Sequence, residues 1–367
     1  MAAKRSNSIV IVSLALGLCF LAGLGWLTRD RSLTGVNDFI QLYAGATLLG
    51  DPGLYSPEVN AKFQLATIGV HLESVYYSRL PLYAFFLKPL SWLPYQAAYA
   101  VFQCLSLLAL AAFLKMRART VPELLLFASL SIPLLANLVA GQDLTFVLLF
   151  AACSLALAAR GKDFEAGLIL TMCLIKPHLF VLVPVAMIAH RRWRFVLGGV
   201  VGSAVWLTGS TIAAGTGWLS SYMSLLGNPV LHPEPQHMPN IHGLVHTAGG
   251  SAALEVVICL AAVLAYCWFA FRSPDFELAF GIALAGSLLL SFHSYTQDCA
   301  VLLLTFAIAA VPGRPKALRG ITALVVAPPI YLLLFAGSPL SVAVPVALLV
   351  LLGVAAITQP GKTAATG

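Results

Sequence analysis

The sequence predicts an all-α polytopic membrane protein, and three observations carry that expectation. Of its 367 residues, 60% are hydrophobic and only 10% are charged, against roughly a quarter charged in soluble domains. Mean hydropathy is +0.91. The apolar runs are long and rich in Leu, Ala and Val, without strand-like alternation, so they read as membrane helices and not as barrel strands. The net charge of +7 suits basic collars around membrane helices better than a nucleic-acid surface, and nucleic acid is not an expected partner.

Spans are expected near 9–27, 96–114, 121–139, 143–159, 194–213, 252–271, 277–292, 297–311, 319–336 and 340–357. The run Ile9–Leu27 follows Lys4-Arg5 as a signal peptide would. It exceeds the roughly 7–15 apolar residues of a signal core, so it reads as a retained first span. Short pieces at 165–175 and 178–189 flank Pro177, and another at 82–93 stops at Pro94. The expectation is about 10–12 transmembrane or re-entrant helices in a single domain, 1–359, with a flexible tail at 360–367.

Charge sidedness orients the chain. With the N-terminus in the cytoplasm, all but Arg29, Arg31, Lys62, Arg79, Lys88 and Lys176 of the 21 lysines and arginines fall inside, as the positive-inside rule requires. All histidines but His190 then fall outside. Both termini are expected to be cytoplasmic, with the chemistry on the outer face.

Two outer loops stand out. The first, 28–81, is too long for a simple connector. Phe39, Ile40, Tyr43, Ala46 and Leu49 mark one helix, and Pro57 opens a second near 57–68. Both are expected as interfacial helices. The second loop, 214–251, is kinked by prolines and rich in histidine, and suits a lid or an acceptor surface.

Candidate site residues gather on this face, each with a bland alternative. Asp38, where the first span gives way to the loop, is either a general base or the cap of the helix that starts at Phe39. Lys176 stands between an apolar run and Pro177; an ionisable residue there is a functional candidate, and a lipid phosphate is its natural partner, although a lysine can also snorkel to the interface. Asn137, Gln142 and Asp143 form either a site or a polar turn. Asn240 and His242 lie in the second loop. His293 opens the stretch His293–Asp298 and is either functional or a helix end.

Other chemistries lack their motifs. No GxSxG or HExxH is present, and no DxD pair, so neither a hydrolase nor an obligatory metal or other cofactor is expected. The seven cysteines form no CxxC and read as small apolar residues. A transporter or flippase is the alternative class, since broken helices around a buried lysine also serve transport. Against it, no internal repeat is visible and the break occurs once.

The order of several short stretches resembles glycosyltransferase family 87. They are Asp38-Phe39 with Tyr43-Ala44-Gly45, Asp51–Pro57, Leu80-Pro81-Leu82 with Pro89-Leu90 and Leu93-Pro94, Asn137 with Gly141-Gln142, and Gly167 through Lys176-Pro177 to Pro184 and the Arg191-Arg192-Trp193-Arg194 collar. The resemblance covers residues 9–200 best. Ser78-Arg79-Leu80-Pro81 stands where the family usually shows a Tyr-Pro-Pro-like run.

The resemblance implies the integral-membrane C-type glycosyltransferase fold and a polyprenyl-phosphate-hexose donor, the hexose being mannose. It implies an envelope glycolipid or glycan as acceptor, and a bacterial-type inner membrane as location. Asp38 would be the base. Lys176, His178 and Arg79 would face the donor phosphate. Asn137, Gln142, Asp143, Asn240, His242 and His293 would orient sugar or acceptor. Inversion at the anomeric carbon is implied by the family.

Overall fold

A computed structural model describes residues 34–358 apart from 232–233 and 337–338, with scattered positions between 11 and 26. Several expectations lie outside the described residues: most of the span at 9–27, the charges Lys4, Arg5, Arg29, Arg31 and Lys362, His232, and the tail at 360–367.

The described chain is helical. In order, the helices are α1 (Phe39–Leu48), α2 (Pro57–Ile68), α3 (Pro81–Leu87), α4 (Tyr95–Arg117), α5 (Glu123–Ser129), α6 (Ile132–Ala140), α7 (Leu144–Ala158), α8 (Asp163–Leu170) and α9 (Val183–Ala189). They continue as α10 (Trp193–Ala214), α11 (Trp218–Leu226), α12 (Ile241–Thr247), α13 (Ala252–Arg272), α14 (Phe276–Leu290), α15 (Leu302–Ala309), α16 (Lys316–Val326), α17 (Pro328–Phe335) and α18 (Ala343–Thr358).

Among the described residues, four helical stretches are long and apolar enough to cross a membrane: α4, α10, α13 and Leu340–Thr358. The number is six if each of two bent pairs counts as one span. The bends have local causes. The expected span 121–139 is α5 and α6, bent by 52°, because Ser131 caps a new helix through Leu134 N and Pro133 has no N–H to continue the old one. The expected span 319–336 is α16 and α17, bent by 47° at Pro328-Pro329.

Membrane exposure divides the helices. The long α4, α10 and α13 leave Leu108, Ile212 and Leu264 exposed, as lipid-facing helices do. By contrast, α14 buries 13 of its 15 residues. At 1.5 Å per residue it spans roughly 22 Å, short of the ~30 Å hydrocarbon core. It is an internal strut packed against α9, α13, α15 and α18.

The two helices of the first loop form where the spacing predicts. Ser56 caps α2, Pro57 opens it, and Gly69 at φ +73° closes it. Yet α1 buries seven of its ten residues, so it packs into the bundle instead of presenting an apolar face to the interface. Phe39 sits among Tyr95, Tyr99 and Phe102 at ring separations of 5.0–5.6 Å. The second loop folds onto the first: Trp218 and Leu225 of α11 share a small core with Leu54, Tyr55 and Tyr77.

The broken element is the one the sequence marks. After α8 come two 3-10 turns, Thr171–Ile175 and Pro177–Phe180, and then α9. Lys176 lies between the turns at φ −134°, ψ 71°. Pro177 disfavours the helical region at the residue before it, and that turns the lysine out of the helix line.

Candidate active site

A cavity of 510 Å³ opens where the first and second long loops meet the broken element. Its wall includes Asp38, just before α1, and Gln41 from α1, Glu73 to Val75 with Ser78 and Arg79 from the first loop, Gln142, Lys176 to His178, Tyr222 from α11, and His293, Tyr295 and Asp298.

Asp38 does not cap α1. That work falls to its neighbour. Asn37 Oδ1 accepts from Phe39 N at 3.0 Å, while its amide donates to the Val139 carbonyl at 3.1 Å. The Asp38 side chain lines the cavity, where Gln142 Nε2 donates to Oδ2 at 2.8 Å.

Gln142 follows Gly141, which ends α6 at φ +67°. A Cβ on Gly141 would stand 2.7 Å from the Cβ of Phe39, so both the conformation and the close approach call for glycine. Asn137 braces the same turn: its carbonyl accepts from Gln142 N at 2.9 Å and its side-chain Oδ1 from Leu144 N at 3.0 Å. Asn137 is fully buried and does not reach the cavity wall. It shapes the turn beside the wall, and its buried Nδ2 has no hydrogen-bond partner among the described residues.

The charges behind Gln142 are buried and paired. Arg79 Nε donates to Asp143 Oδ2 at 3.0 Å. Lys176 Nζ donates to Asp298 Oδ1 at 2.7 Å and lies 3.9 Å from Asp143. The Gln142 Oε1 accepts from Lys176 at 3.1 Å and from Arg79 at 3.3 Å. Asp143 is wholly buried behind the wall and is not on it; it stands as counter-ion to Arg79, with Lys176 close by. Burial alone would lower the Arg79 guanidinium, but the Asp143 carboxylate more than offsets this and holds it above its ordinary range. Two cations and two carboxylates balance here, as buried charges must.

His178 and His293 both line the cavity. The Nε2 of His178 is buried with no hydrogen-bond partner in the structure. His293 packs edge-on to Tyr295 at 5.1 Å. Burial raises the Tyr295 phenol, with Glu234 and Asp298 adding to the shift, so it is a neutral donor at physiological pH.

Asn240 and His242 do not line the cavity. Asn240 caps α12 through Gly243 N and donates to the Ser291 carbonyl at 2.7 Å and to Ser294 Oγ at 3.0 Å. His242 stacks on Phe292 at 4.5 Å and lies 3.1 Å from the Glu255 carboxylate. Both residues hold the His293 turn from behind.

Several wall residues carried no individual expectation: Gln41, Glu73, Tyr222, Tyr295 and Asp298. Asp298 had a signal, since a buried cation in an apolar run requires an acid somewhere. Among the described residues no group of three or more His, Cys, Asp or Glu side chains is placed to hold a metal.

Helices that suit a membrane, beside a cavity whose wall carries Asp38 and the paired Lys176 and Asp298, define an integral-membrane protein with an enzyme-like site. Residues 80–294 match the model of Glycosyltransferase family 87, more than half of the chain, and the protein belongs to that family. It is thus a membrane glycosyltransferase. Comparison with curated proteins and with solved structures gave no match. The matched region carries Gln142, Lys176, His178 and His293, while Asp38, Arg79 and Asp298 lie outside it.

Proposed function

We propose that the protein transfers a hexose, mannose being the expected one, from a polyprenyl-phosphate donor to an acceptor hydroxyl on an envelope glycolipid or glycan. The observation that carries this reading is one amide wide. Gln142 joins the Asp38 carboxylate to the Lys176 ammonium on the wall of a single cavity. A base and an anion-facing group within one sugar's reach are what a single displacement at an anomeric carbon needs.

In this reaction the acceptor oxygen forms a bond to the anomeric carbon as the bond to the phosphate oxygen breaks. The hydroxyl proton goes to Asp38, and the electron pair leaves with the phosphate. The phosphate gains one negative charge while Asp38 loses one, so the cavity keeps its total. Lys176 and Arg79 supply N–H donors toward the leaving oxygen, and their charges are already balanced by Asp298 and Asp143. The unpartnered Nε2 of His178 suits a further contact to the phosphate. The distribution of basic residues supports an outward-facing site in a bacterial-type inner membrane with both termini in the cytoplasm.

The test is transfer from a panel of polyprenyl-phosphate hexoses by wild type and Asp38→Asn in nanodiscs, with donor binding measured on the same samples. Turnover should fall by about 10²-fold or more in Asp38→Asn while donor binding persists. Equal activity of the two proteins would remove Asp38 as base. Failure of the wild type to bind any such donor would defeat the donor assignment and bring lipid transport forward.

A further inference from the structure

Glu73 stands at the tip of the turn that joins α2 to the extended stretch leading to Arg79. One side chain fastens this turn at both ends. Gln64, fully buried on α2, accepts from Leu72 N at 2.8 Å through Oε1 and donates through Nε2 to the Val75 carbonyl. Between those two anchors Ser74 adopts φ +69°, a left-handed conformation that a non-glycine residue holds only when its surroundings enforce it. The clamp presents Glu73 and Ser74 on the wall of the same cavity as Asp38.

The charge at this tip is unlike the charge deeper in. Arg79 and Lys176 each face a carboxylate. Glu73 is exposed and has no ion pair or hydrogen bond with the described residues. This part of the wall therefore adds a negative charge that no cation among the described residues answers. A carboxylate in that position accepts hydrogen bonds from hydroxyl groups through two oxygens, and it repels an incoming anion.

We propose that Glu73 is a specificity-determining residue on the acceptor side, selecting an uncharged, hydroxyl-bearing glycan over one that presents a carboxylate or phosphate. This rests on the glycosyl-transfer reading above. Glu73 takes no part in bond making; it receives hydroxyls of the sugar ring next to the one that reacts.

The experiment is equilibrium binding by saturation-transfer NMR, using full-length protein in nanodiscs. The variants are wild type, Glu73→Gln and Glu73→Lys. The probes are methyl mannoside and mannobiose as neutral saccharides, methyl glucuronide as the anionic one, and a polyprenyl-phosphate hexose for the donor side. In Glu73→Gln, neutral saccharides should bind about tenfold more weakly, and the preference for neutral over anionic saccharide should shrink by a similar factor. Glu73→Lys should reverse the preference. Donor binding should stay within about twofold of wild type in both variants, which also shows that they are folded.

An unchanged neutral-to-anionic preference would overturn the assignment. So would a loss of donor binding in place of saccharide binding, or no saccharide binding by the wild type. Transfer assayed in parallel separates the two claims. Saccharide binding that depends on Glu73, without any hexose transfer, sinks the transferase reading alone. Transfer with binding indifferent to Glu73 sinks this one alone.

Discussion

Gln142 donates from Nε2 to Asp38 Oδ2 at 2.8 Å, across 104 positions of sequence. The orientation of this amide is set by charge. Its oxygen faces the Lys176 ammonium and the Arg79 guanidinium, so its N–H must face the carboxylate. Gln142→Glu keeps the shape and reverses the logic, because a carboxylate cannot donate to Asp38 and repels it. Transfer should fall by at least about tenfold, with donor binding retained. Parallel turnover and donor-binding assays check this, and full activity in the variant would deny the amide its part in holding Asp38.

Arg79 and Asp143 are a buried pair, and removing one partner strands the other. Arg79→Met should destabilise the protein by about 3–5 kcal/mol. Arg79→Met combined with Asp143→Leu should recover much of that loss, because the uncompensated charge is gone. Denaturation midpoints of the two single variants and the double variant, read as a cycle, measure it. Additive losses would show that the pair is not coupled.

Asn240 holds the turn before His293. Asn240→Ala removes the cap of α12 and two bonds to the Ser291–Ser294 turn. A loss of about 1–3 kcal/mol follows, with acceptor KM unchanged in the folded fraction. An acceptor KM that rises at undiminished stability would restore the direct contact.

Gly45 touches the face of Tyr77, and a Cβ there would overlap the ring. Gly45→Ala should cost about 1–3 kcal/mol as an overpacked contact, even though alanine favours the helix. Tyr77→Leu should relieve it. Thermal midpoints of the three proteins decide the matter, and a neutral Gly45→Ala would mean that α1 is free to shift.

At the start of α2, Ser56 Oγ donates to Glu58 at 2.7 Å and holds the carboxyl below its ordinary range. A carboxyl lowered in the folded state stabilises above its unfolded pKa, near 4.3. That contribution disappears as pH falls through the folded value. Glu58→Gln should flatten this small acid-side dependence of the unfolding midpoint. An unchanged slope between pH 5 and 3 would remove Glu58 as its source.

Helical class, membrane character and the break at Lys176-Pro177 were legible in the sequence because each is a local property. An apolar run of sufficient length demands helix in lipid, and proline restricts the residue before it wherever it stands. Asp38, Gln142, Lys176 and His293 stand out for the same reason, as polar residues next to long apolar runs. Helix length and bending were less legible. Hydropathy treats 121–139 and 277–292 alike, yet one bends at a serine cap and the other is an internal strut.

Only the tertiary structure separates the residues that face the cavity from those that brace it. Asn240 looks like a ligand in the sequence because a buried asparagine must be satisfied, and a turn satisfies it as well as a sugar does; Asn137 is equally buried, and the turn satisfies its Oδ1 but leaves its Nδ2 without a partner among the described residues. Asp298 lies 122 positions from Lys176, and no local pattern links them. Pairing of buried charges is a matter of distance in space, where the energy falls with separation and not with sequence number. Composition alone requires that charges be buried and therefore paired. The fold decided which partners meet, and so which face of the cavity is neutralised and which, at Glu73, is left negative.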